Sequence, residues 1–221
     1  MIGFAHRGAP GIGMRENTIA AFTNALGRGA RALESDVWLT ADRVPVLVHD
    51  RIVRNGLRRK AISAMRSSEL PRWLPALEEF YDAVGGDFEF SLDVKDPAAA
   101  LPTVEVATRH SAAARLWLCT TAGNVRDWRA AAGEARLVVS TTLRGSGRTM
   151  LEGRIDEAAE AAADALNLRC PEWSAERVQR CHDLGMLAFA WDVQQAAVLE
   201  RMRGFGCDGI FSDHLPVLVA A

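Results

Sequence analysis

The chain of 221 residues, 49% hydrophobic and 24% charged, is long and apolar enough for one folded domain over 1–221, which excludes disordered and fibrous classes. Its 26 basic and 28 acidic residues leave a net charge of −2, so nucleic acid is not an expected partner and an anionic ligand should be small. Cys119, Cys170, Cys181 and Cys207 form no C-x-x-C pair, which fits reduced, buried thiols, and without a run of roughly 20 apolar residues or a leader before Ile2 a cytoplasmic, non-membrane protein is expected.

In chain order, short apolar runs alternate with amphipathic ones. Strands are predicted at 2–6, 32–38, 88–94, 115–120, 135–141, 164–169, 186–192 and 208–212. Helical patterns occupy 16–28, 74–84, 98–112, 123–132, 149–163, 174–184 and 194–204, with a stub after the last strand. Gly29, Gly85, Gly133, Gly185 and Gly206 fall where helices should stop. Eight such βα units predict an α/β fold, a (β/α)8 TIM barrel. The rival is a doubly wound open sheet, but no G-x-G-x-x-G follows an early strand.

One segment breaks the rhythm. After the second strand, "TADRVPVLVHD" reads as a turn and a short extra strand over 44–48, followed by a basic, irregular stretch to residue 73. This hairpin and insertion, about 41–73, should lie over the end of the second barrel strand. Its cluster Arg51, Arg54, Arg58, Arg59 and Lys60 reads either as a solvated loop or as an attractor for anionic substrate.

Catalytic groups of such barrels sit at the C-terminal ends of the strands. His6 ends the first predicted strand, Glu34 and Asp36 lie in the second, and Asp93 and Lys95 end the third. Side chains two apart on a strand share a face, so Glu34, Asp36 and Asp93 should converge in the barrel mouth. Three packed carboxylates either bind a hard cation such as Mg²⁺ or Ca²⁺, or are neutralised by Lys95, Arg7 and Arg31 as ion pairs. His6 and His49 each close an apolar run and suit general acid and base chemistry. His110 and His182 fall on predicted helices, and His214 is an outside candidate.

These residues occur in stretches with a family resemblance: "HRG" at 6–8, "ENTIAAF" at 16–22, "GARALESDVWLTAD" at 29–42, "PVLVHD" at 45–50, "LDVK" at 92–95 and "GCDGIFSDHLP" at 206–216. In order and spacing the chain resembles the glycerophosphodiester phosphodiesterase family. The resemblance implies metal-dependent hydrolysis of a small-molecule glycerophosphodiester to glycerol phosphate and an alcohol. It implies His6 and His49 as the acid/base pair and Glu34, Asp36, Asp93 and Glu16 as acidic residues at the divalent cation, Mg²⁺ or Ca²⁺. It further implies Arg7 and Lys95 as phosphate contacts and Trp191 as the aromatic beside the glycerol. The chain departs from the family pattern at Asp93, where glutamate is usual, at Arg15, where proline is usual, and at Asp192 of "WDVQ", an added acid near the mouth. Two alternatives are a related enzyme of lysophospholipids or phosphosphingolipids, which would need an apolar groove by the insertion, and a non-catalytic phosphodiester-binding barrel.

Overall fold

A computed structural model describes residues 1–55, 58–141 and 148–221, so residues 56 and 57 of the expected insertion lie outside the described residues. Strand β1 (Ile2–Ala5) leads through α1 (Ile19–Gly27) to β2 (Ala32–Leu39). Short strands β3 (Pro45–Leu47), β4 (Ile52–Asn55) and β5 (Arg58–Ala61) precede α2 (Leu77–Val84) and β6 (Glu89–Val94). The alternation then continues through α3 (Ala100–Arg109), β7 (Leu116–Thr120), α4 (Ala122–Trp128), β8 (Arg136–Ser140), α5 (Arg148–Glu160) and β9 (Ala165–Arg169). It ends with α6 (Ala175–Asp183), β10 (Leu187–Trp191), α7 (Ala196–Phe205), β11 (Gly209–Ser212) and α8 (Leu215–Val219).

Strands β1, β2, β6, β7, β8, β9, β10 and β11 run parallel, and β1 pairs with both β2 and β11. The sheet therefore closes into the predicted (β/α)8 barrel. All eight predicted strands are barrel strands, displaced by a residue or two at their ends.

Local chemistry explains where the helices depart from the sequence pattern. The first was expected from residue 16 but begins at Ile19, because Asn17 is left-handed with φ 54° and the Thr18 hydroxyl caps the Ala21 amide. The expected helix 98–112 divides into a tight turn at Pro97–Ala99, capped by Asp96, and α3. The insertion is also more ordered than its sequence suggested. β3 pairs antiparallel with β2, as expected, whereas the stretch read as irregular contains the β4–β5 hairpin. Val46, Val48, Val53, Ile62, Met65 and Leu74 give this segment its own small apolar core.

The barrel lumen has two layers. At its base Phe4, Trp117, Phe189 and Phe211 pack together, with Phe4 stacked on Phe211 at 4.7 Å and Trp117 edge-on to Phe189 at 5.0 Å. This aromatic plug excludes water from below and leaves the upper lumen to polar side chains. Phe189 is fully buried, so Phe189→Ala should cost about 3–5 kcal/mol through lost burial and the resulting cavity. Urea unfolding measures this, and a loss below about 1 kcal/mol would contradict the plug's structural role.

Candidate active site

Above the plug, β2 and β6 run in register, with Glu34 opposite Ser91 and Asp36 opposite Asp93. The two-residue alternation thus brings Glu34, Asp36 and Asp93 to one face, as the sequence predicts, and all three line a cavity of about 440 Å³ at the C-terminal ends of the strands. His6, Arg7, His49, Lys95 and Trp191 line the same cavity. Glu16 does not. It faces an adjoining cleft and reaches the site only through Arg7, whose Nη1 donates to Glu16 Oε1 at 3.0 Å.

The loop after β1 is shaped around Glu34. Arg7 is left-handed, with φ 51°, and its backbone amide donates to Glu34 Oε2 at 2.9 Å. Gly8 follows with φ +81°, and a Cβ there would meet the Ala21 Cβ at 3.0 Å, so glycine allows the loop to press against α1. Left-handed conformations at non-glycine residues are costly and persist where surrounding contacts impose them. Here the amide of Arg7 replaces water on a buried carboxylate.

Asp36 is almost fully enclosed by donors. Lys95 Nζ lies 3.0 Å from its Oδ1, Arg7 Nε 3.5 Å from Oδ2, and Asn17 Nδ2 donates to Oδ2 at 3.3 Å. Lys95 also pairs with Asp93. Burial works against both cations, but the carboxylates outweigh it: Lys95 is raised by Asp36 and Asp93, and Arg7 by Asp36 and Glu16. Burial, reinforced by Asp36 and Asp93, pushes the Glu34 carboxyl up against the opposing pull of His6 and the Arg7 amide. The expected pairing with Lys95 and Arg7 is therefore present, whereas Arg31, expected to join them, lies outside the cavity beside Met1 and Gly29. Among the described residues no three His, Cys, Asp or Glu side chains stand ready as a metal-ligand group.

The two histidines differ in their surroundings. His6 Nδ1 bonds Asp213 Oδ1 at 2.7 Å, and Gln194 Nε2 donates to the other carboxylate oxygen at 2.7 Å. Its Nε2 is 3.9 Å from Glu34. Burial lowers the ring's affinity for a proton, yet the Asp213 hydrogen bond and the charges of Glu34 and Asp213 raise it from 6.5 to about 8. His49 follows β3, with Nδ1 3.0 Å from Asp50 Oδ1, and its carbonyl accepts from Trp38 Nε1 at 3.2 Å.

Trp191 closes β10 with the Arg169 guanidinium 5.7 Å above its ring. Arg169 is held by Asp192 at 2.9 Å, so the unusual acid of "WDVQ" is spent on a salt bridge at the rim. His110 pairs with Glu78 and His182 with Asp208 outside the cavity, and His214 precedes α8 without lining it.

Asn17, Asp213, Gln194 and Asn167 were missed as site residues. Asn17 sits inside "ENTIAAF", where its amide ties Asp36 to the Ser35 hydroxyl. Asp213 sits inside "GCDGIFSDHLP", and closure of β1 on β11, with Ala5 opposite Ser212, carries it to His6. The available signal was barrel closure itself, because the first and last strands must be neighbours. Asn167 lines the cavity with its Oδ1 buried and unpartnered, while Arg7 Nε is held by charge beside Asp36 without a hydrogen bond.

The sequence pattern of the Glycerophosphoryl diester phosphodiesterase family matches residues 6–217. The chain is 28% identical over 236 residues to a Mycobacterium tuberculosis protein named "Probable glycerophosphodiester phosphodiesterase 2", covering 98% of this chain and 89% of that one. Among solved structures, it superposes on the glycerophosphodiester phosphodiesterase of Thermotoga maritima with a TM-score of 0.83 at 20% identity, covering 100% and 97% of the two chains. An Oleispira antarctica phosphodiesterase solved with the product sn-glycerol-3-phosphate gives 0.80 at 19% identity, covering 100% and 95%.

Asp213→Asn should lower the His6 ring from about 8 toward or below the ordinary 6.5 in metal-free protein, as read by NMR titration. Folding raises this ring, so its stabilisation is complete below pH 6.5 and is lost as pH rises through about 8. The variant should flatten that part of the stability profile; an unmoved His6 titration would remove Asp213 from this role.

Proposed function

The chain belongs to the glycerophosphoryl diester phosphodiesterase family and is a phosphoric diester hydrolase; from that premise we propose that it hydrolyses glycerophosphodiesters to glycerol phosphate and an alcohol, with His6 and His49 moving the protons. The observation that carries this reading is the cavity, which sets a cationic pair, Arg7 and Lys95, beside three carboxylates and two histidines. Its unpartnered buried Asn167 Oδ1 is complementary to the ligand, since it needs a donor such as a glycerol hydroxyl, and Arg7 Nε, in ion-pair range of Asp36 at 3.5 Å but without a hydrogen bond, could take a phosphate oxygen.

In the reaction a water or the neighbouring glycerol hydroxyl attacks phosphorus, and the bond to the alcohol oxygen breaks. One histidine takes the nucleophile's proton and the other delivers a proton to the departing oxygen. Attack by the hydroxyl would leave a cyclic phosphate, which water then opens. Arg7 and Lys95 hold the phosphate and balance the charge that grows on its oxygens, Asp213 orients His6, and Trp191 covers the glycerol.

Glu34, Asp36 and Asp93 are not gathered as a ready ligand group, because Lys95 and Arg7 hold Asp36 and Asp93, but their all-oxygen chemistry is the kind that suits a hard divalent cation, Mg²⁺ or Ca²⁺, once it displaces those ion pairs. Burial pushes the Glu34 carboxyl up, and such a cation would favour its charged form. When bound, the ion would supply further positive charge at the phosphate. Asp36 and Asp93 are also the partners of Lys95, so the ion pair and a metal would draw on the same two carboxylates. Glu16 is better placed to fix Arg7 than to join them.

A lysophospholipid substrate would place an acyl chain on the glycerol side, beside Trp191. An apolar cleft lined by Ile12, Met14, Ile19, Trp73 and Pro75 does adjoin the insertion. It lies beyond Arg15 and Trp73, away from Trp191, which favours the soluble diester.

A panel of glycerophosphodiesters assayed with and without divalent metal tests this function. His6→Ala and His49→Ala should each lower kcat by roughly 10²–10⁴-fold, and EDTA should abolish turnover until Mg²⁺ or Ca²⁺ is restored. Near-normal turnover in either variant would refute the histidine pair, and full activity in excess EDTA would refute the metal.

A further inference from the structure

Next to the catalytic cavity, and sharing His49 with it, lies a second cleft of about 580 Å³. It is lined by Arg15, Glu16, His49, Asp50, Arg54, Arg59 and the Trp73 ring, among others. Its two acids are committed, Glu16 to Arg7 and Asp50 to His49. Among the described residues, none of its three arginines pairs with a carboxylate.

Arg54 and Arg59 stand directly opposite each other in the β4–β5 register. Like charges at such a cross-strand pair destabilise a hairpin, and an anion in the cleft would relieve the repulsion. Arg15, the departure from the family's proline, places its guanidinium 4.1 Å from the Trp73 centroid. That contact occupies the aromatic face that a quaternary ammonium would need and adds a third positive charge.

Resting on the phosphodiesterase reading above, we propose that this cleft binds the alcohol portion of the substrate and selects alcohols that carry negative charge, such as a phosphorylated polyol, over choline. A diester with its phosphorus in the cavity and its glycerol toward Trp191 extends its alcohol past His49 into the cleft. There the phosphoryl group of the alcohol meets Arg54 and Arg59, each able to take phosphate oxygens through a planar fork of donors. The same placement puts His49 on the side of the leaving alcohol. The reaction is otherwise unchanged: one phosphorus–oxygen bond breaks, one forms, and the proton count balances with one water consumed.

The test compares kcat/KM for glycerophosphoinositol 4-phosphate and glycerophosphocholine at low ionic strength. The wild type should favour the phosphorylated alcohol by tenfold or more, and the ratio should shrink as salt rises. Arg54→Gln/Arg59→Gln, on exposed side chains, should cut the ratio at least tenfold, and Arg15→Ala, which uncovers Trp73, should raise choline-diester turnover relative to the other. A ratio at or below one, or a ratio unchanged in the double variant, overturns the proposal. Sedimentation with phosphatidylglycerol vesicles that the double variant loses, with its substrate ratio intact, would also overturn it by assigning the arginines to a bilayer. If neither diester is hydrolysed, the phosphodiesterase reading fails separately, and calorimetric dissociation constants for the same two compounds decide the preference by the same ratio.

Discussion

Three carboxylates on two adjacent strands, facing into a space closed below by aromatic rings, set the terms for the rest of this molecule. A unit charge pair 4 Å apart is worth about 4 kcal/mol at an effective dielectric of 20, so neighbouring anions in that setting need positive charge nearby. Lys95 answers for Asp36 and Asp93, and Arg7 answers for Asp36 with its side chain and for Glu34 with its backbone amide. The left-handed turn at Arg7, the tight seat of Gly8 on α1 and the inward amide of Asn17 are local expenses made for that neutralisation.

The same arrangement is poised for a phosphodiester. The groups that balance the carboxylates are those that would bind a phosphate, and the carboxylates that hold them are the donors a divalent ion would use. His6 belongs to this balance as well, because Glu34 and Asp213 both favour its protonated form. The proposed proton transfer, phosphate binding and metal binding would therefore be coupled through one acidic cluster. A change to any of the three carboxylates should be felt by both cations and by His6.

The sequence showed clearly what depends on periodicity. Alternation along "LESDV" and "SLDVK" places Glu34, Asp36, Asp93 and Lys95 on one face, and eight repeating units predict a closed barrel. Contacts made by closure and by loops were harder to read. Asp213 meets His6 because β1 and β11 are neighbours, although 207 residues separate the pair in sequence. Asn17 was hidden because a left-handed residue before a helix cap has the same spelling as the helix's first turn, and the β4–β5 hairpin was hidden because its strands are rich in arginine and lysine rather than in apolar residues. Glu16 was placed with the carboxylates by resemblance, whereas its side chain reaches the site through Arg7.

The acidic cluster, whose charge Lys95 and Arg7 balance in this structure, is proposed as the cation site. Thermal or urea unfolding with Mg²⁺ or Ca²⁺ tests it without reference to turnover. An ion at one hundred times its dissociation constant should stabilise the wild type by about 2.7 kcal/mol, and Asp36→Asn should abolish most of that gain. No stabilisation of the wild type at millimolar metal, or an equal gain in the variant, would contradict the account.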